Sequence, residues 1–180
     1  MENKAELTRK EVIMLIAVSH SGIKLAGVNL QGLNLSRADL RGANLTKANL
    51  SGANLSRADL RDANLRGVVE HLSRADLSGA DLSWADLSRA DLSRANLSRA
   101  DLTKANLSGA NLSYADLRDS NLDYADLSGA NLSYADLRDA NLEDADLSGA
   151  NLSYADLRDS NLEDACRSGA NLTGAIGYSH

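Results

Sequence analysis

The side chains that most often do chemistry are present in this chain but scattered. His20, His71 and His180 stand alone, without a second imidazole or thiolate at metal-ligand spacing. Cys166 is the single cysteine, so no disulfide can close within the chain. Neither a G-x-S-x-G turn nor a phosphate-binding glycine loop occurs. Most of the 25 Asp and Glu residues recur at equivalent sequence positions rather than pairing across a cleft. These residues predict a protein that is not an enzyme, with no cofactor and no metal. The single thiol fits a reducing, cytoplasmic compartment. What does recur is the chemistry of surface contact. Tyr114, Tyr134 and Tyr154 fall twenty residues apart, and Asp119, Asp139 and Asp159 follow at the same interval. Exposed tyrosine rows suit protein partners. These six residues are the candidate protein-binding set.

The elements that position them follow from a repeat. From Leu25 to Leu65, and again from Leu72 to Leu162, a leucine falls at every fifth position. The unit reads A-(D/N)-L-(S/R)-x. On an α-helix, a period of five scatters the leucines around the whole surface. On a flat strand, it sends them to alternate faces. A backbone that turns between units and keeps every Leu on one axis satisfies the pattern. Ala and Leu, two apart, then share the inward face, and the Asp or Asn between them points out. Blocks such as SGANLSYADLRDSNLDYADL at 108–127 and SGANLSYADLRDANLEDADL at 128–147 repeat after twenty residues. Four units therefore make one coil. About thirty units predict seven to eight coils and, at about 4.8 Å per coil, a rod on the order of 35 Å long.

These units resemble the pentapeptide-repeat family, common in cyanobacteria, over residues 23 to about 176. The resemblance implies an all-β solenoid, a right-handed quadrilateral β-helix with Leu as the central residue. It also implies binding rather than catalysis. A subset of the family looks like B-form DNA and binds DNA gyrase. The expected organisation is an N-terminal capping helix at 1–22, the β-helix at 23–176 and a short tail at 177–180. In the cap, Thr8 and Glu11 fit a capping box, and Val12, Leu15 and Ile16 give an apolar face. The run Val12 to Val18 is too short for a membrane span, and no cleavage site follows it.

Two departures mark the repeat. The spacing from Leu65 to Leu72 is seven, which predicts a corner bulge at 66–71. Arg167 replaces a central Leu and Cys166 replaces Asp or Asn; an inward Arg is costly, so the coil should fray there. No comparable cap follows, which predicts a tail-to-tail homodimer through the C-terminal end.

Charge is uneven. Residues 1–70 carry a net of +3, residues 71–107 a net of 0, and residues 108–180 a net of −9. A DNA mimic needs dense negative charge along its length, since DNA carries one charge per about 1.7 Å of axis. The gradient favours an interaction scaffold with an unidentified protein partner. The alternative is a mimic that uses its acidic C-terminal half. No basic stripe predicts direct nucleic-acid binding, and no segment predicts membrane association.

Overall fold

The computed structural model describes Met14, Ile16 and residues 22–66 and 72–177. From residue 22 to residue 177 the described residues wind as a four-sided β-helix. Single parallel bridges join each Asp or Asn to its counterpart on the next coil, from Lys24 with Asn44 to Asp156 with Ile176. The interval is twenty residues throughout, except across Asn54–Asp76, Asp59–Asp81 and Asn64–Asp86, where it is twenty-two. One coil thus takes up the two extra residues, and the register closes again beyond it. The expected bulge itself, residues 67–71, lies outside the described residues, as do His20, His71 and His180.

Each unit is an extended segment followed by a tight turn. The Ala N–H donates to the Leu carbonyl three residues earlier, as in Ala43 to Leu40 at 3.0 Å. The fifth residue of every described unit has φ near +60°, whether Gly42 at 61°, Arg57 at 58° or Tyr134 at 59°. An i to i+3 bond with a positive φ at the third residue is the pattern of a type II turn. Three further backbone bonds per unit join neighbouring coils. Leu112 N–H reaches the Asn131 carbonyl (2.7 Å), Tyr114 N–H the Ser133 carbonyl (3.0 Å), and Asn131 N–H the Ala110 carbonyl (2.9 Å).

Most bridging Asp and Asn residues are half-buried, and their side chains close the turns. Asn54 Oδ1 accepts from Ser56 N–H at 2.9 Å, and Asp126 Oδ1 accepts from Ser128 N–H at 2.9 Å. This is the Asx turn, in which a side-chain oxygen fixes the corner that follows. Where asparagines stack, their amides also ladder between coils: Asn171 to Asn151 (3.2 Å), Asn151 to Asn131 (3.3 Å) and Asn131 to Asn111 (3.3 Å).

Leu and Ala fill the interior. Leu30 through Leu152 at the central positions are almost all 0% exposed, and the Ala residues are at most about 1% exposed over most of the rod. Ser120 takes an inward Ala position at 2% exposed, and its hydroxyl donates to the Leu117 carbonyl at 2.6 Å. No buried side-chain polar atom among the described residues lacks a partner.

Two expectations change at the ends. The coil does not fray at Arg167. Leu147 N–H bonds the Cys166 carbonyl (2.7 Å), Cys166 N–H bonds the Ala145 carbonyl (2.9 Å), and bridging continues to Ile176. Arg167 is exposed. It stands on the last coil, where no further described layer covers it, so its guanidinium need not enter a leucine stack. The capping helix over 1–22 lies almost wholly outside the described residues. Met14 and Ile16 have helical backbone, Met14 66% exposed and Ile16 6% exposed among the core residues. Two residues do not establish the cap as an element, and the other described residues form the solenoid.

Candidate functional site

Four sides follow one another around each coil, separated by the turns. Side 1 carries the bridging positions 91, 111, 131, 151 and 171; side 2 carries 96, 116, 136 and 156; side 3 carries 81, 101, 121 and 141; side 4 carries 86, 106, 126 and 146. The fifth residues of the units therefore stack as four corner columns. Tyr114, Tyr134 and Tyr154 form the corner between sides 1 and 2. Asp119, Asp139 and Asp159 form the corner between sides 2 and 3. The six candidate residues thus border the same side of the rod, the tyrosines along one edge and the carboxylates along the other.

The tyrosines form a continuous stack. Ring centroids of Tyr114 and Tyr134 lie 5.0 Å apart with planes 3° from parallel. Those of Tyr134 and Tyr154 are also 5.0 Å apart, at 12°. The coil spacing sets this distance, so the backbone ladder imposes the ring stack. Each ring remains about half exposed, at 52%, 49% and 55%. Arg94 continues the column, its guanidinium 5.0 Å from the Tyr114 centroid. Gly174 ends it: a Cβ there would come within 2.6 Å of Tyr154 Cδ1, and its φ is +73°. The close approach to the ring favours glycine there, since other fifth positions accept larger residues at a similar φ.

Between the two edges, side 2 carries a zipper of ion pairs. Arg118 Nε and Nη2 donate to Asp116 Oδ1 (2.8 Å) and Oδ2 (2.6 Å). The same guanidinium lies 3.7 Å from Asp136 on the next coil. Arg138 repeats the arrangement with Asp136 and Asp156. The hydrogen bond from Arg118 lowers the Asp116 carboxyl, and that from Arg158 lowers Asp156. A second zipper joins Arg41 and Arg61 to Asp39, Asp59 and Asp81 on side 3. There the Arg41 hydrogen bond brings Asp39 to about 2.

The column between sides 3 and 4 has its own pattern. Lys104 Nζ sits between Trp84 (4.6 Å from the ring) and Tyr124 (5.7 Å). A hydrogen bond with Asp144 raises the Tyr124 phenol. Trp84, Lys104 and Tyr124 stand twenty residues apart, so the same count that stacks the tyrosines puts the cation between the two rings.

No described residues carry the geometry of catalysis. Among them, no group of three or more His, Cys, Asp and Glu could hold a metal ion. Cys166 is exposed, and its thiol is lowered by a hydrogen bond with Ser148. No helix of the described residues is long and apolar enough to cross a membrane.

The model of the pentapeptide repeats matches eight copies, over residues 23–62, 71–109, 110–149 and 140–176. The chain belongs to the pentapeptide repeat family. As a pentapeptide repeat protein it has the right-handed quadrilateral β-helix, a binding or structural architecture, and nothing in it shows catalytic activity. It is similar to HetL, a pentapeptide repeat protein involved in heterocyst differentiation regulation in the cyanobacterium Nostoc sp. strain PCC 7120. Identity is 32%, over 93% of this chain and 92% of that one, with a TM-score of 0.39. A second pentapeptide repeat protein of Nostoc PCC 7120 is 39% identical over 54% of this chain and 84% of its own, with a TM-score of 0.47. The plasmid-mediated fluoroquinolone resistance protein QnrB1 is 21% identical, over 89% and 85%, with a TM-score of 0.47. No curated protein matches.

Proposed function

We propose that this pentapeptide repeat protein is a non-enzymatic interaction scaffold of the cytoplasm that binds a protein partner along side 2. The observation that carries this reading is the tyrosine stack. Three rings held 5.0 Å apart by the coil spacing, each about half exposed, form a rigid amphipathic edge. Rigid aromatics lose little conformational freedom on binding and are frequent anchors at protein contacts. Asp119, Asp139 and Asp159 along the other edge add charge that selects a basic partner surface. Affinity capture from the source cell tests the reading. Wild type retains a specific partner, and Tyr114→Ser, Tyr134→Ser, Tyr154→Ser combined loses it. Capture undiminished in the triple variant contradicts the proposal.

A second reading, a DNA mimic acting on DNA gyrase or another DNA-binding protein, is favoured by the acidic second half. There Asp144 and Asp164 continue the column that runs through Trp84, Lys104 and Tyr124, and Glu143 and Glu163 stand beside them. Against it stand the arginines that precede the acidic region, at 37, 57, 74, 94 and 99. A gyrase supercoiling assay decides: no inhibition at micromolar protein removes this reading.

The last coil offers a further contact, the tail-to-tail homodimer. Leu162 and Leu172 are half-buried there, and Ile176 is 51% exposed. Ile176→Asp is expected to abolish such a dimer in sedimentation.

A further inference from the structure

Both corner columns that border side 2 change character at the same level of the rod. On the edge between sides 1 and 2, Gly52, Arg74 and Arg94 are followed by Tyr114, Tyr134 and Tyr154. On the edge between sides 2 and 3, Arg57, Gly79 and Arg99 are followed by Asp119, Asp139 and Asp159. Every one of these residues is exposed. At the junction, Arg99 (81% exposed) and Asp119 (53% exposed) already lie 3.7 Å apart.

We propose that side 2 is self-complementary and pairs with side 2 of a second copy, the two rods antiparallel. The proposal rests on the reading of side 2 as a contact surface and names its partner. Two identical faces that meet under a twofold axis across the rods place each column against the same column reversed. With the axis at the junction, Arg99 faces Asp119 and Arg57 faces Asp159. On the other edge, Arg94 faces Tyr114 and Arg74 faces Tyr134. The first pairs are opposite charges, and the second place guanidinium on aromatic ring. Arg94 already makes that second contact within one molecule, 5.0 Å from the Tyr114 centroid.

The two glycines fall where the same symmetry needs space. Asp139 meets Gly79, in a recess of about 300 Å³ lined by Arg57, Ser78, Ser98 and Arg99 among others. Tyr154 meets Gly52, where nothing lies within 4 Å of the position a Cβ would take. A carboxylate thus enters a notch lined by Arg57, Arg99 and Arg118 together with Asp119, and a ring meets a position that carries no side chain. A parallel arrangement loses this: it sets Arg94 against Arg99, cation against cation. The contact is small. Six coils at about 4.8 Å and a side roughly 15 Å wide give roughly 400 Å² per copy. That lies below the roughly 1,200 Å² total of stable interfaces, so the pairing is weak, salt-sensitive and dependent on local concentration.

Sedimentation velocity on the full chain tests this, with folding checked by circular dichroism. Wild type at high micromolar concentration and low salt is expected to show reversible association, weakened on the order of tenfold in 0.5 M salt. Two charge variants are then compared: Arg57→Asp with Arg99→Asp, and Asp119→Arg with Asp159→Arg. Each alone is expected to stay monomeric, and their mixture to associate again, because each column then faces its opposite. Wild type that stays monomeric at low salt overturns the proposal. So does association that survives both variants, which places the contact elsewhere, the last coil included. A monomeric wild type whose tyrosine triple variant still loses a captured protein overturns the self-pairing and leaves the binding role of side 2 standing.

Discussion

At the fifth position of each unit a single backbone requirement outweighs side-chain identity. Arg89, Lys104, Tyr134 and Asp139 all sit at φ between 57° and 60°. The left-handed region costs an ordinary residue about 1–2 kcal/mol and is hardest on β-branched side chains. In urea unfolding, Arg89→Asn should therefore be close to neutral and Arg89→Val should lose about 1 kcal/mol more. The acidic residues of the zippers give a pH signature. Hydrogen bonds from arginine lower Asp39 (to about 2), Asp59, Asp116 and Asp156 below the usual carboxylate value. A folded-state value below the unfolded one stabilises the fold above the unfolded pKa, about 3.9. That stabilisation disappears as pH falls through the folded value. Thermal melts should hold steady down to about pH 4 and then decline toward pH 2. The exposed pairs make each contribution small.

At the scale of the element, a turn that follows Asp or Asn is fixed twice, by the i to i+3 backbone bond and by the Asx side chain. Asn131 serves three roles: its Oδ1 receives Ser133 N–H (3.1 Å) and Asn151 Nδ2 (3.3 Å), and its Nδ2 donates to Asn111 (3.3 Å). Asn131→Ala should cost about 1–3 kcal/mol, at about 1 kcal/mol per net hydrogen bond. Asn131→Asp should cost less, since the acceptor remains, and chemical denaturation separates the two. In the core, Leu102 is 0% exposed in an interior only two side-chain types wide. Leu102→Ala should cost about 2–5 kcal/mol because such an interior cannot collapse around the gap. The Leu and Ala positions were legible in the sequence because their burial repeats with the unit. The left-handed fifth residue was not: Arg, Tyr and Trp share that position with Gly, and side-chain type conceals a backbone rule. Nor was the outcome at Arg167, because a cost argued for an interior position vanishes where no described coil lies beyond.

Across the whole molecule, one rigid lattice turns sequence spacing into surface pattern. Twenty residues of separation become one coil of height, so a column of like residues in the sequence becomes a stripe in space. The two extra residues between Leu65 and Leu72 do not disturb this, since bridges on either side regain their register. For that reason the six candidate residues, read from spacing alone, do border one side. Their relation to the arginines at 57, 74, 94 and 99 was less visible, because the twenty-two-residue coil offsets the numbering. The central claim is that side 2 of this rod, and its tyrosine edge in particular, is a binding surface rather than a stabilising ornament. Quantitative affinity capture with three proteins tests it most directly: wild type, the Tyr114, Tyr134 and Tyr154 to Ser triple variant, and a Tyr124→Ser control on the opposite corner column. The prediction is a partner retained by wild type and by the control and lost by the triple variant, with all three folded by circular dichroism. Equal retention by the triple variant and the control would contradict it.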